Sequence, residues 1–139
     1  MRPRAQQILS RGGARLATLE PAVHRAALRA IPYAVQRRFD AGAAGAVEAV
    51  FELQVRDPRG RAPERFALTI ADGRCDVRPG AAAQAGATVA IGADDMVRLV
   101  SGASGWPELL SSKRLELGGD PFLALRFPIL FRLPAHSHT

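Results

Sequence analysis

An α+β fold is what this 139-residue sequence predicts, and three observations predict it. Residues 46–78 alternate apolar and polar side chains in three short runs separated by turn signals, the period of two that marks an antiparallel meander. Residues 87–133 then read strand, helix, strand, helix. Ahead of both, residues 15–39 carry a helical apolar stripe. At this length a single domain is expected, with enough chain to bury a core.

Taken in order, residues 1–14 hold Gly12-Gly13 and little periodicity, so a flexible basic arm is expected there. From Arg15 onward Leu16, Leu19, Val23, Ala27 and Ile31 recur every three or four residues. Pro21 suits the first turn of a helix. Pro32 is expected to end or kink that helix, with a second short helix carrying Val35 and Phe39 inward. Ala41 to Gly45 reads as a loop. In the first strand, Val47 to Val55, the odd positions Val47, Ala49, Phe51, Leu53 and Val55 face inward. The even ones, Glu48 and Glu52 among them, face water. Asp57-Pro-Arg-Gly60 is a turn, and Phe66, Leu68 and Ile70 repeat the alternation. Asp72-Gly73 closes a tight hairpin onto a third strand with Cys75 and Val77 inward.

After a small-residue loop, Thr88 to Ile91 is the fourth strand. Asp94 and Asp95 sit where negative charge favours a helix start, and Gly102 can close that helix. A short helical turn follows Trp106-Pro107, then the fifth strand at Arg114 to Leu117. Asp120 and Pro121 form the cap and first position of a last helix, which Pro128 ends or bends. The domain therefore spans 15–133, with the sheet and its helices over 44–133, and 134–139 reads as a disordered tail.

Charge is unevenly spread. The net charge is +6, yet residues 1–38 hold eight arginines against Glu20 alone, and the remainder is nearly neutral. Such a cationic segment attracts anionic membrane surfaces or acidic partners. No aromatic residue interleaves with these arginines before Tyr33, so nucleic acid is not an expected partner. The N-terminus lacks the continuous apolar core of a secretion signal, though its arginine content is also that of a transit peptide. One cysteine permits no intrachain disulfide and no CxxC metal pattern. Eighteen arginines to one lysine is a bias associated with GC-rich bacterial genomes. A cytoplasmic protein, peripheral at the membrane, is the expectation.

The final segment, Pro121 to Leu133, is apolar nearly all the way round, with only Arg126 and Arg132 charged. Such a helix must be covered by protein, lipid or a partner. It is broken by Pro128 and too short to cross a bilayer.

Three stretches together resemble one family. They are Phe66-Ala-Leu-Thr-Ile-Ala-Asp-Gly73, the run from Thr88 to Gly102 with its acidic helix start and closing glycine, and Lys113-Arg-Leu-Glu-Leu-Gly-Gly-Asp120 before an apolar helix. In this order they are similar to the sterol carrier protein-2 family of lipid-binding domains. The resemblance covers about residues 44–133. The basic arm and Lys113-Arg114 resemble, more loosely, its bacterial ubiquinone-biosynthesis accessory branch. The chain departs from better-known members at Pro128 and Arg126. The resemblance implies a five-stranded, mostly antiparallel sheet with helices over one face. Between them it implies an apolar tunnel for fatty acyl chains, sterols or isoprenoids.

No catalytic constellation stands out, and no cofactor is expected. Gly118-Gly119 reads as a strand end rather than a phosphate loop. The candidate cavity wall is Met96, Leu99 and Val100, then Trp106, Leu109 and Leu110, then Phe122, Leu125, Phe127, Ile129 and Leu130. Arg126 is placed at the cavity mouth, facing a carboxylate or phosphate head group. Arg25, Arg29, Arg37 and Arg38 are placed at an anionic membrane surface. The competing expectation is a protein–protein or homodimerisation module that uses the last helix.

Overall fold

The computed structural model describes residues 21–57, 59–60 and 62–135. The basic arm, the expected helix start at 15–20 and residues 136–139 lie outside them. Helix α1 spans Pro21–Gln36 and α2 Ala41–Ala44. Strands β1 (Ala49–Arg56), β2 (Glu64–Ala71) and β3 (Arg74–Pro79) form the meander. Then come β4 (Ala87–Gly92), α3 (Ala93–Ser101), α4 (Trp106–Ser111), β5 (Leu115–Gly119) and α5 (Pro121–Leu130).

The five strands make one sheet in the order β3-β2-β1-β4-β5. β1–β2, β2–β3 and β4–β5 are antiparallel, and β1–β4 is parallel. The mixed sheet follows from chain order: the meander ends at β3, and β4 returns beside β1. The register places Phe51 beside Leu68, Leu53 beside Phe66 and Val89, and Ile91 beside Leu115. These alternate residues share one face, and all are buried in a single core with residues from the helices. A period of two on each strand thus becomes one continuous apolar sheet face, which the helices cover.

Four local expectations are corrected. Helix α1 runs through Pro32 rather than ending there. Proline's fixed φ is helical, so the residue removes one hydrogen bond without redirecting the chain, and Pro32 is itself buried. Ala41 to Ala44 is a helical turn, because Asp40 accepts from the Gly42 and Ala43 amides at 3.0 and 3.2 Å and caps it. Helix α5 likewise passes Pro128, and the Phe131 amide still donates to Phe127 O at 3.1 Å. Glu52, expected to face water, is buried on the outer sheet face. It accepts from the Ala82 amide at 3.0 Å and from Gln54 Nε2 at 2.7 Å, which pins the loop after β3 across the sheet. At the C-terminal end, Leu133 is buried and Pro134 O accepts from the Trp106 amide at 2.9 Å.

Two polar links tie the helical layer down. His24 Nε2, buried on α1, lies 2.9 Å from Asp57 Oδ1, and Asp57 also takes the Arg59 amide at 2.8 Å to shape the expected turn. Gln36 Nε2 donates to Cys75 O at 2.7 Å, joining α1 to β3.

Cys75 points inward as expected and is buried. Burial, and secondarily the neighbouring Asp76 carboxylate, push its thiol up from 9.0 to about 12. The folded chain therefore keeps this proton where the unfolded chain has lost it. The associated stabilisation is present below about pH 9 and fades as pH rises toward 12. The native protein should not react with iodoacetamide at pH 8, and the urea-unfolded chain should react fully. Equal rates in the two states would show the thiol to be accessible.

Candidate functional site

Helix α5 has one face in the core and one in solvent. Asp120 begins it, accepting from the Phe122 amide at 3.0 Å, with Pro121 in the first turn. Ala124, Phe127 and Leu130 are buried beneath it. Phe127 is the hub of an aromatic cluster. Its ring centroid lies 5.1 Å from Phe51, edge to face, 5.6 Å from Trp106, stacked, and 4.7 Å from Phe131. Phe131 in turn lies 5.8 Å from Phe39.

The other face carries Phe122, Leu125 and Ile129, which are 81, 53 and 61% exposed. Arg126 is exposed on the same face, since positions i, i+3, i+4 and i+7 align on a helix. The eleven residues expected to line one cavity are therefore divided. Met96, Leu99, Trp106, Leu109, Phe127 and Leu130 are buried core, and Val100 and Leu110 are half-buried. Phe122, Leu125 and Ile129 point outward. The open three-helix cavity is corrected accordingly. Between α1 and α3 the space left beside Ile31, Ala34, Met96, Val97 and Val100 is only about 30 Å³.

Space does open at the other flank of α5. A groove of about 180 Å³ lies between this helix and edge strand β5, lined by Leu117, Gly118, Gly119, Pro121, Ala124 and Leu125. Of these, sequence reasoning placed only Leu125 at a cavity. The usable signal is Gly118-Gly119, because glycines at a strand end mark a close approach: a Cβ would lie 2.5 Å from Thr88 Oγ1 at Gly118 and 2.5 Å from Gly86 O at Gly119, so they seat β5, one wall of the groove, against β4. Above the hub, the Trp106 indole N–H is buried with no hydrogen-bond partner.

The arginines also divide. Arg25 and Arg29 are exposed on α1 and Arg37 just beyond its end, four or eight residues apart, with exposed Tyr33 between them. They form a cationic ridge along a helix with no acidic side chain and the turn that follows it. Arg38 is different. Its Nε donates to Phe131 O at 3.2 Å and its Nη1 to Val100 O at 3.3 Å, while Nη2 donates to Arg132 O. Arg132 Nε donates back to Arg38 O at 2.9 Å. Burial, and then the Arg132 charge, lower the Arg38 pKa. The expected head-group contact at Arg38 is thus corrected: the residue clamps the ends of α3 and α5 to the turn between α1 and α2.

The acidic start of α3 is spent structurally as well. Asp95 pairs with Arg98 at 3.0 Å and with Arg114, whose Nε lies 3.2 Å away. Among the described residues no group of three metal-ligating side chains exists. The arrangement offers apolar surface, a groove and cations rather than reactive groups.

A model of the SCP-2 sterol transfer family matches residues 34–132, most of the chain. The chain belongs to this family. Its fold is that of family members of known structure. It is similar to sterol carrier protein 2-like 2 from Aedes aegypti, with 23% identity over 76% of this chain and 97% of that one, at a TM-score of 0.64. A solution structure of the same mosquito protein described as palmitated covers 79% of this chain and 97% of its own, at 23% identity and a TM-score of 0.61. A stereoselective inverting sec-alkylsulfatase from Pseudomonas sp. contains a similar fold, with 19% identity and a TM-score of 0.57. That match covers 87% of this chain but 17% of the sulfatase. No curated protein matches by sequence at a significant level. The SCP-2 fold is therefore present both alone and as a small part of a larger enzyme.

Proposed function

We propose that this SCP-2 family chain binds an apolar lipid, a fatty acyl chain, sterol or isoprenoid, and transfers it or presents it to another protein without catalysing a reaction. The observation that carries this reading is the groove between α5 and β5, walled by apolar side chains and glycine beneath a helix that is apolar on both faces. The description of one mosquito relative as palmitated supports the acyl-chain choice.

The groove's 180 Å³ is below the roughly 300–1,000 Å³ of sites that enclose whole drug-sized ligands. A long chain would therefore enter with α5 displaced outward, taking the place of part of the Phe127 packing. Each methylene so buried gains about 0.8 kcal/mol, enough for tight binding without specific polar contacts. The cationic ridge of α1 holds the carrier near anionic membranes, each basic group adding about 1 kcal/mol near the surface. The chain would work in the cytoplasm and visit the membrane.

Protein purified from cells should release an apolar molecule into organic solvent, visible by mass spectrometry. Delipidated protein should bind a fluorescent fatty acid that palmitate, cholesterol or a polyprenyl quinone displaces. An empty extract together with no fluorescent fatty acid bound would overturn the reading.

A further inference from the structure

We propose that α5 is an interfacial docking helix, whose outer face of Phe122, Leu125 and Ile129 around Arg126 enters the headgroup region of an anionic bilayer and opens the adjoining groove onto the lipid. The second half of that statement rests on the lipid-binding reading; the first does not.

The three exposed side chains are large and apolar, and they are contiguous on one helical face. A helix apolar all round needs cover on both sides, and the core supplies only one. Three occupants could supply the other. A second copy is disfavoured by area. Ten residues rising ~1.5 Å each, ~10 Å wide, give a footprint of roughly 150 Å², far below the ~800 Å² per partner of stable interfaces. A bilayer needs no such area, because a few inserted side chains suffice.

A cation set among exposed apolar side chains favours an anionic bilayer over a protein partner. Arg126 is the only charged residue within α5, and it sits amid the apolar face. Its stem can lie among acyl chains while its guanidinium meets lipid phosphates. The ridge of Arg25 and Arg29 on α1 and Arg37 just past it adds the same sign. At ten residues α5 lies in the interface plane, and no helix among the described residues is long and apolar enough to cross a membrane.

The test is co-sedimentation of the full chain with phosphatidylcholine vesicles, with and without phosphatidylglycerol. Binding should need phosphatidylglycerol. The double variant Phe122→Ser, Ile129→Ser should bind at least about tenfold more weakly. Neither residue lines the groove or the core, so the emission of Trp106, the only tryptophan, should be unchanged in that variant. Arg126→Glu should weaken binding to the anionic vesicles. Unchanged vesicle binding by the double variant would overturn docking. So would a native dimer in sedimentation velocity that the double variant dissolves, since a second copy would then cover the face. Uptake of a fluorescent fatty acid in vesicle-free buffer separates the two proposals. Its failure in the native chain removes the carrier reading, while docking is decided by the vesicle result.

Discussion

Phe127→Ala will destabilise the fold by about 3–5 kcal/mol, whereas Phe122→Ala, five positions earlier on the same helix, will change stability by no more than about 0.5 kcal/mol. Phe127 is fully buried and contacts the rings of Phe51, Trp106 and Phe131, which come from β1, the start of α4 and the end of α5. Its removal leaves a cavity that three separate elements must collapse to fill, and the sheet beneath Phe51 cannot follow. Phe122 is mostly exposed and leaves nothing behind. Urea unfolding followed at Trp106 and by circular dichroism measures both variants. Equal costs would mean that the hub drawn here does not anchor α5.

That contrast marks where the sequence could be read and where it could not. The strands were legible because one face of each is buried and one is not, so Phe51, Leu53 and Val55 separate themselves from their neighbours by parity. Helix α3 was legible for similar reasons: acids in its first turn, Met96 and Leu99 inward, and Gly102 at its close. Helix α5 shows no such contrast. With apolar residues at almost every position there is no periodicity to say which ones face the core, so Phe122 and Phe127 look alike until the Asp120 cap and the Leu130 end fix the rotation. Proline misled twice, at Pro32 and Pro128, because a compatible φ outweighs one lost hydrogen bond when the helix is packed on both sides of it.

Contacts between distant residues were beyond reach for a different reason. Glu52 is polar by composition and buried only because Ala82, thirty positions on, returns to it. His24 meets Asp57 across thirty-three positions, and Arg38 meets Phe131 across ninety-three. Nothing local announces these pairings. The groove is the most instructive case. Gly118 and Gly119 form part of its lining, and a pair of glycines at a strand end reads the same whether it serves a turn, a tight backbone contact or a space for ligand.

Gly119 separates those three uses. Its φ of +77° is a conformation that costs an L-residue roughly 1–2 kcal/mol. A Cβ there would lie 2.5 Å from Gly86 O and 2.9 Å from Ala87 Cα, both backbone atoms of the β4 entry, which cannot rotate away. That contact belongs to the ladder: Gly119 pairs with Ala87, and the next amide, Asp120, donates to Gly86 O at 2.9 Å. The same aspartate caps α5, so displacing β5 moves the helix start and with it one wall of the groove. Gly119→Ala should therefore cost more than about 2 kcal/mol and weaken fatty acid binding beyond what lost folding accounts for. Gly73→Ala in the β2–β3 hairpin is the matched comparison. Its φ is +69°, and a Cβ there meets nothing within 4 Å, so it carries the conformational cost alone and leaves binding unchanged. Chemical denaturation of the two variants isolates the steric part by subtraction. If they lose the same stability, the close approach of β5 to β4 carries none of it, and the groove owes its shape to something other than the glycine at its floor.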